Sequence, residues 1–422
     1  MNDHTAAATH DLTAAAIERA AVRLRDVVRE TPLDGSPRLS DRADAPVFLK
    51  REDLQVCRSY KVRGAYNFMA SLDRGERARG VVCASAGNHG QGLAFACRAL
   101  EIHGRVYVPS NTPRQKRVRI AEIGGPWVEL MIAGSSYDAA SAAAIADSEQ
   151  RGAVYVHPFD DPRTIAGQGT IALELATQLD GPIDTIVAPV GGGGLIAGIA
   201  LWVRANLPEV RIVGVEPAGA ASMRAALDAG RPVKLDSIDT FVDGAAVGLV
   251  GATPFPIVRD LVDEVCAVPE GAVCTEMLEL YQTEGIIAEP AGALASTAVF
   301  TGVVQARGPI VAIVSGGNND VSRYADVVER SLLHEGLRHY FLVSFPQEPG
   351  ALRRFLDEVL SDSEDIVLFE YVKKNNRETG PALVGIELES PEGLPGLLAR
   401  MDASPIEIER VPPGSPLFSF ML

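Results

Sequence analysis

One lysine lies in a sequence setting that suits a nucleophile. Lys61 belongs to the stretch Ser59 to Ala65 (SYKVRGA), in which Ser59 is a candidate N-cap and Val62 to Met69 has the composition of a helix. A lysine that attacks a carbonyl group must spend part of its time neutral. Partial burial and the positive end of a helix both favour the neutral amine. A position in the first turn of a helix therefore makes Lys61 the candidate nucleophile.

A second stretch, Ser85 to Gly92 (SAGNHGQG), leads into an apolar helical run that ends at Leu100. Helix starts of this kind bind anions. The amide of Asn88 can donate to a phenolate oxygen and seat an aromatic ring without adding charge, whereas the plainer alternative is N-capping. A lysine nucleophile together with such a helix start suits an aldehyde cofactor that holds an amino acid.

Four consecutive glycines, Gly191 to Gly194, follow the apolar run Thr185 to Val190 and precede a helical run that starts at Leu195. Their N–H groups can turn toward a phosphate because no Cβ stands in the way. The stretch lacks the lysine and the glycine spacing of nucleotide-binding loops. Taken alone it could be a plain turn, but in the company of Lys61 it predicts a phosphate site.

For two residues in these motifs, His89 and Arg63, the sequence indicates a structural role more than a catalytic one. His89 is a candidate general base, although a histidine just inside a helix start is more often a structural hydrogen-bonding group. Arg63 is predicted to pair with a nearby carboxylate, and a fixed cation there also helps to keep Lys61 deprotonated.

The elements that must position these residues alternate between short β-branched apolar runs and Ala-rich helical runs, from about residue 45 to 330. This alternation predicts a parallel α/β architecture. The predicted strands are Pro46–Leu49, Gly80–Ala84, Gly104–Val108, Trp127–Leu130, Val154–Val156, Thr185–Val190, Val210–Gly214 and Pro309–Val314. Polar or glycine-rich turns follow three of them, at Ser85, Gly191 and Ser315. Ligands collect at the carboxyl ends of parallel strands, so we expect these turns to converge on one site.

The pattern of predicted strands and helices changes after a predicted linker helix, Tyr324 to His334. From His339 onward the pattern predicts the order βαββαβ, with strands at His339–Phe345, Ile366–Val372, Ala382–Leu388 and Ile406–Val411, and helices at Pro349–Leu360 and Leu394–Met401. This order is typical of a ferredoxin-like unit. The unit carries no obvious nucleophile or acid–base pair, which favours a binding or regulatory role. We expect a catalytic domain over residues 1–335, with a smaller subdomain inserted at about 65–165, and a regulatory domain over 336–422.

Composition excludes several classes of function. The 422 residues include 39 Lys and Arg against 55 Asp and Glu, a formal charge of −16 that disfavours nucleic acid and anionic membranes as partners. The five cysteines form no C-x-x-C pair, so neither a disulfide framework nor a zinc site is predicted. The first ten residues do not read as a secretory signal, and no apolar run is long enough to span a membrane. A cytoplasmic location is the expectation.

These motifs resemble the pyridoxal-phosphate enzymes of the tryptophan-synthase-β fold type (fold type II), and within them the threonine dehydratases (threonine ammonia-lyases). The resemblance rests on the order of SYKVRGA, SAGNHGQG, GGGGL, GVEP, DGAAVG, EPAGA and SGGN, and on one ACT-like domain behind them. It implies that Lys61 is the Schiff-base lysine and that Asn88 donates to the ring oxygen. The other implied cofactor contacts are Tyr60, Gly191, Gly192, Gly193, Gly194, Leu195 and Ser315, with Ser315 facing the pyridine nitrogen. Ser85, Asn88 and His89 would surround the substrate carboxylate.

The resemblance implies β-elimination of L-threonine to 2-oxobutanoate and ammonia, the first committed step of isoleucine biosynthesis. A neutral hydroxyl at Ser315 cannot hold the ring nitrogen protonated as a carboxylate would, which favours prompt loss of a β-substituent. Serine racemases of this fold have a serine where this chain has Ala86, which disfavours racemisation. They also bind a divalent cation through a glutamate and an acid six residues later. Here the sixth residue after Glu216 is Ser222, so no divalent-metal site is expected, and a monovalent ion or none is left open.

Other readings stay open at this stage. A β-replacing synthase, such as cysteine or threonine synthase, shares the fold and cofactor but not the ACT-like tail. An amino-acid sensor with a dead catalytic half would require a broken lysine or phosphate site. L-serine is an alternative substrate. The turn Pro346 to Leu352 resembles that of effector-binding ACT modules, which implies isoleucine as effector and a homo-oligomer, with a tetramer expected and a dimer left open.

Overall fold

This computed structural model describes residues 12–371, 378–412, 415 and 418. Contacts divide the chain into two units, the first ending at Asp320 and the second beginning at Val321. Within the described ranges, no helix is long and apolar enough to cross a membrane. The predictions for residues 1–10 and for the last residue of the predicted strand Ile366–Val372 lie outside the described residues.

The first unit contains a six-stranded sheet. Its strands are β1 Leu33–Gly35, β2 Val47–Arg51, β7 Thr185–Pro189, β8 Arg211–Pro217, β9 Glu264–Val268 and β10 Ile310–Val314. The strand order is β1-β2-β10-β7-β8-β9, and all neighbours are parallel except β1 and β2. Every residue of β7 and β10 is buried, as expected of parallel strands covered on both faces.

A second, four-stranded sheet is inserted in sequence between β2 and β7. It consists of β3 Val81–Ala84, β4 Gly104–Val108, β5 Val128–Ile132 and β6 Val154–Tyr155. The order is β5-β4-β3-β6 and every pair is parallel. Each sheet has its own main apolar core, with Ile186 and Ile313 in the core of the larger sheet and Leu93 and Val106 in that of the smaller.

Helices connect the strands of both sheets. They are α1 Ala14–Leu24, α2 Pro37–Ala43, α3 Lys61–Ala70, α4 Arg74–Arg79, α5 Asn88–Leu100, α6 Arg114–Gly124, α7 Tyr137–Arg151, α8 Pro162–Gln178, α9 Gly194–Asn206, α10 Ser222–Ala229, α11 Pro254–Leu261, α12 Glu270–Glu284 and α13 Pro290–Phe300. Several starts follow directly from the sequence. Asp73 and Glu76 form a capping box at α4, and Asp161 caps α8 just before Pro162.

The second unit begins with α14 Tyr324–His334 and continues in the order βαββαβ. Its elements are β11 Arg338–Pro346, α15 Ala351–Val359, β12 Glu364–Tyr371, β13 Thr379–Leu388, α16 Leu394–Ala403 and β14 Glu407–Arg410. The sheet is antiparallel with the order β12-β13-β11-β14. Phe341 and Phe345 lie in its core, as the alternating pattern of β11 predicts, and Phe355 of α15 packs there with them. The parallel α/β architecture and the ferredoxin-like unit expected from the sequence are confirmed.

Candidate functional site

Lys61 is the first residue of α3, and the loop before that helix is tied to the end of β10. The backbone N–H of Tyr60 donates to the carbonyl of Ser315 at 3.2 Å, and Ser59 pairs with Gly316 in an isolated β-bridge. The Nζ of Lys61 lies 3.4 Å from the carbonyl oxygen of Pro158 and 5.1 Å from the centre of the Tyr60 ring. Tyr60 directly precedes the helix and has no side-chain cap, but Ser59 Oγ accepts from the backbone N–H of Lys61 at 3.4 Å, so the predicted capping contact is made from one residue further back.

A buried ionic network holds the first turn of α3. Arg63 is bound by Glu52, at 2.7 Å, and by Glu174, at 2.5 Å, while Lys50 binds Glu174 at 2.5 Å. Burial alone would raise the pKa of Glu52, but the Arg63 guanidinium and Lys50 hold it below its usual value. The predicted pairing of Arg63 with a carboxylate is confirmed. The two cations, Arg63 and Lys50, balance the two carboxylates, Glu52 and Glu174, so the network fixes the position of α3.

The glycine turn Gly191 to Gly194 lies between β7 and α9. The ring of Phe159 lies so close that a Cβ on Gly192 would come within 2.2 Å of it, and Gly193 has φ +94°. Among the described residues, the N–H groups of the four glycines donate to no backbone or side-chain acceptor. The turn thus presents four unsatisfied N–H donors at the start of a helix, and the Phe159 ring leaves no room for a side chain on Gly192. This arrangement is suited to an anion such as phosphate.

Ser315 follows the last residue of β10 and is buried, with its Oγ 3.2 Å from the carbonyl oxygen of Ala291. A hydroxyl in this position can donate to a ring nitrogen by turning away from Ala291. It cannot carry a negative charge at neutral pH. The environment that it offers a heteroaromatic nitrogen is therefore neutral.

Asn88 is the first residue of α5, behind Gly87 as N-cap, so its side chain is not used for capping. Its Nδ2 donates to Glu289 Oε1 at 2.5 Å, and its Oδ1 accepts from Asn318 Nδ2 at 2.8 Å. These two contacts fix which end of the amide is the donor. A second N–H on Nδ2 then remains for a ligand.

The side chain of His89 is buried, and its Nε2 lies 2.9 Å from the carbonyl oxygen of Val156. Burial lowers the pKa of His89 to about 3, so the imidazole stays neutral and Nε2 carries the donated hydrogen. This geometry favours the structural reading of His89 over general-base catalysis. Any contribution of His89 to an anion site would come from its backbone at the start of α5. Ser85 Oγ accepts from the backbone of Gly87 at 3.3 Å.

The three strand ends that the sequence expects to converge do meet. One pocket is lined by residues from all of them: Tyr60, Lys61, Asn88, Pro189, Gly191, Gly244, Ala245, Glu289, Ala291 and Ser315. An adjoining pocket shares Lys61 and Gly191 and adds the other three glycines of the turn, Leu195 and Phe159. Carbonyl chemistry at Lys61, an anion at the glycine turn and a ring between Asn88 and Ser315 can therefore be accommodated side by side.

Sequence reasoning assigned no role to Phe159, Gly244 or Glu289. The last two belong to the DGAAVG and EPAGA motifs, whose presence was the available signal. Nothing in the sequence around Phe159 pointed to its contact with the glycine turn, because that contact joins residues more than thirty positions apart.

Glu216, which the sequence offered as a possible metal ligand, has a structural role. Its carboxylate accepts from the backbone N–H groups of Met223, at 2.7 Å, and Arg224, at 2.9 Å, at the start of α10. Burial raises the pKa of Glu216 to about 7. The described residues contain no group of three or more His, Cys, Asp or Glu side chains suited to a metal ion.

Two family models match the chain. The model described as pyridoxal-phosphate dependent enzyme matches residues 24–316. The model described as the C-terminal regulatory domain of threonine dehydratase matches residues 329–421.

Curated relatives match along nearly the whole chain. The biosynthetic L-threonine dehydratase of Mycobacterium bovis is 58% identical over 413 residues, 97% of this chain and 96% of the relative. That of Corynebacterium glutamicum is 51% identical over 415 residues, 97% and 95% of the two chains. That of Bacillus subtilis is 47% identical over 409 residues, 96% of each.

Solved structures are similar over about three quarters of the chain. The processed form of threonine deaminase isoform 2 from Solanum lycopersicum has a TM-score of 0.70 and 38% identity, covering 75% of this chain and 94% of its own. Maize serine racemase has a TM-score of 0.70 and 33% identity, covering 76% of this chain and 98% of its own.

Proposed function

Since the chain belongs to the pyridoxal-phosphate-dependent enzymes of fold type II, and among them to the biosynthetic L-threonine dehydratases, we propose that it converts L-threonine to 2-oxobutanoate and ammonia. This lyase reaction is the first committed step of isoleucine biosynthesis. The observation that carries the proposal is the single pocket that joins Lys61, Asn88 and Ser315, next to the glycine turn.

The residues of the pocket fit pyridoxal phosphate. The four free N–H groups of Gly191 to Gly194, with Leu195 in the first turn of α9, would hold the phosphate. Lys61 would bind the aldehyde carbon covalently, Asn88 would donate to the ring oxygen, and Ser315 would face the ring nitrogen. Tyr60 lines both pockets beside Lys61. When bound, the cofactor supplies an electron-withdrawing ring that stabilises negative charge at the α-carbon of an amino acid.

The protein groups then have separate tasks. Lys61 would take the proton from the α-carbon of threonine, because its amine lies in the pocket where that carbon would be held. Ser85 and the backbone N–H groups of Asn88 and His89 would orient the substrate carboxylate at the start of α5. Loss of the β-hydroxyl as water leaves an enamine, and its hydrolysis gives 2-oxobutanoate and ammonia. L-serine, which lacks only the methyl group, is the alternative substrate.

The second unit is proposed to bind isoleucine and to regulate the reaction. Support comes from its match to a regulatory-domain family and from a ferredoxin-like sheet without a catalytic constellation among its described residues. Gly350, at φ +89°, directly precedes α15, so the N–H groups at that helix start are candidates for the carboxylate of an amino acid. The chain is proposed to act as a homo-oligomer, with a tetramer expected.

Release of 2-oxo acid from L-threonine by the purified full-length chain tests this function directly. We expect turnover that requires pyridoxal phosphate and falls when isoleucine is added. Parallel reactions with L-serine would measure the substrate preference. Absence of 2-oxo acid from both substrates in the presence of saturating cofactor would contradict the proposal.

A further inference from the structure

Glu289 is a buried carboxyl that borders the pocket and does not serve the helix behind it. It occupies the N-cap position of α13, where a side-chain oxygen commonly caps the helix, yet its side chain makes no cap hydrogen bond. Instead its Oε1 accepts from Nδ2 of Asn88, 2.5 Å away and 201 residues distant in sequence. The carboxyl is therefore directed at a site residue.

Gly316 leaves room for the contact between Glu289 and Asn88. A Cβ on Gly316 would lie 2.3 Å from Glu289 Oε1 and 3.3 Å from Asn88 Nδ2. Any side chain at this position would displace the carboxyl or the amide. The absence of a side chain there allows the short contact between Glu289 and Asn88.

The amide of Asn88 is held at both ends. Glu289 takes one of the two N–H groups of Nδ2, and Asn318, whose Nδ2 also donates to the carbonyl of Cys57 at 2.8 Å, donates to Oδ1. The remaining N–H of Asn88 is then the hydrogen-bonding group that it can offer a ligand in the pocket.

Charged groups around Glu289 affect its ionisation. Burial and the nearby Asp243 together raise the pKa of Glu289 to about 7, against the hydrogen bonds from Asn88 and from the backbone of Asn318 and the charge of Lys116. Lys116 is itself paired with Asp243 at 2.7 Å. Lys61 lines the same pocket.

We propose that Glu289 is a positioning residue for the cofactor, which acts by fixing the Asn88 amide so that its second N–H meets the oxygen on the cofactor ring. This inference rests on the proposed use of pyridoxal phosphate. It adds a protein group to the ring-oxygen contact, because the accepting oxygen of Glu289 fixes the orientation of the Asn88 amide.

A binding experiment on the full-length chain tests the proposal. Pyridoxal phosphate is titrated into cofactor-free protein, and binding is followed by the visible absorption of the lysine-linked cofactor. We expect Glu289→Leu to weaken affinity about tenfold, equivalent to about 1.4 kcal/mol. Glu289→Gln keeps an oxygen that accepts from Asn88 and should stay within about twofold of the parent.

The route through Asn88 is tested by a double-mutant cycle. If Glu289 acts through that amide, Glu289→Leu should cause no additional loss of affinity in an Asn88→Ala background. Additive losses, or an unchanged affinity in Glu289→Leu alone, would overturn the proposal.

A second measurement decides the matter if Glu289→Leu fails to fold, as judged by circular dichroism. Without substrate, the visible band of the parent should shift across the neutral pH range as Glu289 titrates, and the band of Glu289→Gln should shift less. An equal pH response in both proteins would contradict the inference. Failure of the proposed function is a different outcome, namely a parent chain that binds the cofactor but releases no 2-oxo acid from threonine.

Discussion

The amine of Lys61 and the amide of Asn88 are held to different degrees. Lys61 Nζ has a long contact of 3.4 Å to the carbonyl of Pro158, whereas Asn88 has a short hydrogen bond at each end of its amide. A group that bonds to a cofactor and then moves a proton must change position, and a group that seats a ring must not. The structure thus matches the proposed tasks of the two residues.

Replacement of Lys61 should remove the chemistry and leave the fold. We expect Lys61→Ala to abolish the visible absorption of the bound cofactor and to reduce threonine dehydration by about a thousandfold or more. Lys234 is an exposed lysine of the same unit, so Lys234→Ala serves as the matched control and should behave as the parent. Absorption spectra and 2-oxo acid release measure both variants. Near-parent turnover in Lys61→Ala would show that another group carries the reaction.

Ser315 should control which reaction follows loss of the α-proton. An aspartate there would favour a protonated ring nitrogen and longer-lived negative charge at the α-carbon, so we expect Ser315→Asp to slow dehydration severalfold or more. One unit of ring pKa corresponds to about 1.4 kcal/mol. Ser315→Ala keeps the surroundings neutral and should have the smaller effect. The cofactor spectrum and the dehydration rate are measured together, and an unchanged spectrum and rate in Ser315→Asp would refute the argument.

Among the elements, the segment formed by β7, the glycine turn and α9 depends on close packing. Gly192→Ala would place a methyl group against the ring of Phe159, at a cost of about 1–3 kcal/mol from overpacking. We expect a lower melting temperature and weaker cofactor binding, because the N–H groups of the turn would be displaced. Gly35→Ala is the control, since a Cβ at Gly35 meets nothing within 4 Å. Equal cofactor affinity in the two variants would argue against a phosphate site at this turn.

Most elements could be predicted because local pattern and tertiary position agree. Gly104–Val108 and Tyr324–His334 have the bounds expected from the sequence, since each is a continuous pattern between clear breaks. The strands β1 and β9 were not predicted. Leu33–Gly35 is three residues long and ends in Asp-Gly, and Glu264–Val268 is an edge strand with an exposed charged start. Strands of this kind are defined by their partners in the sheet more than by their own residues.

The site itself was predictable only in part, for a similar reason. Lys61, Asn88 and the glycine turn lie in local motifs that indicate their chemistry. Asn88 is hydrogen-bonded to Glu289, and the glycine turn packs against the ring of Phe159. Both contacts join segments that are distant in sequence. The bridge between Ser59 and Gly316, just beyond β10, could not be foreseen either, because it joins segments that are distant in sequence.

At the scale of the whole molecule, the boundary between the two units decides where the chain can be shortened. The sequence predicts a boundary at residue 335, and contacts in the structure divide the chain after Asp320. The difference is α14, which belongs with the second unit. Glu329 on α14 accepts from the Tyr340 hydroxyl at 2.7 Å and pairs with Arg338, both on β11.

A chain that ends at Asp320 should therefore retain dehydration and lose its response to isoleucine. Allosteric coupling of about 1–3 kcal/mol corresponds to a change of about 5- to 150-fold in apparent threonine affinity, which is ample for detection. Threonine saturation curves with and without isoleucine, measured on the full-length and shortened chains, give the result. Inhibition of the shortened chain at the same isoleucine concentration would place the effector site in residues 1–320.

The strand order of the larger sheet also has a consequence for the order of synthesis. β10, the last strand of this sheet to leave the ribosome, pairs with β2 on one side and β7 on the other. Until residue 314 has been made, the growing chain can form only separate pieces of the sheet, β1 with β2 and β7 with β8 and β9. The same strand delivers Ser315, so the pocket is completed late. An unfinished chain thus exposes the edge of β2, and after Pro189 also the edge of β7, until β10 has been made, and this interval is when it is most open to chaperones or to aggregation.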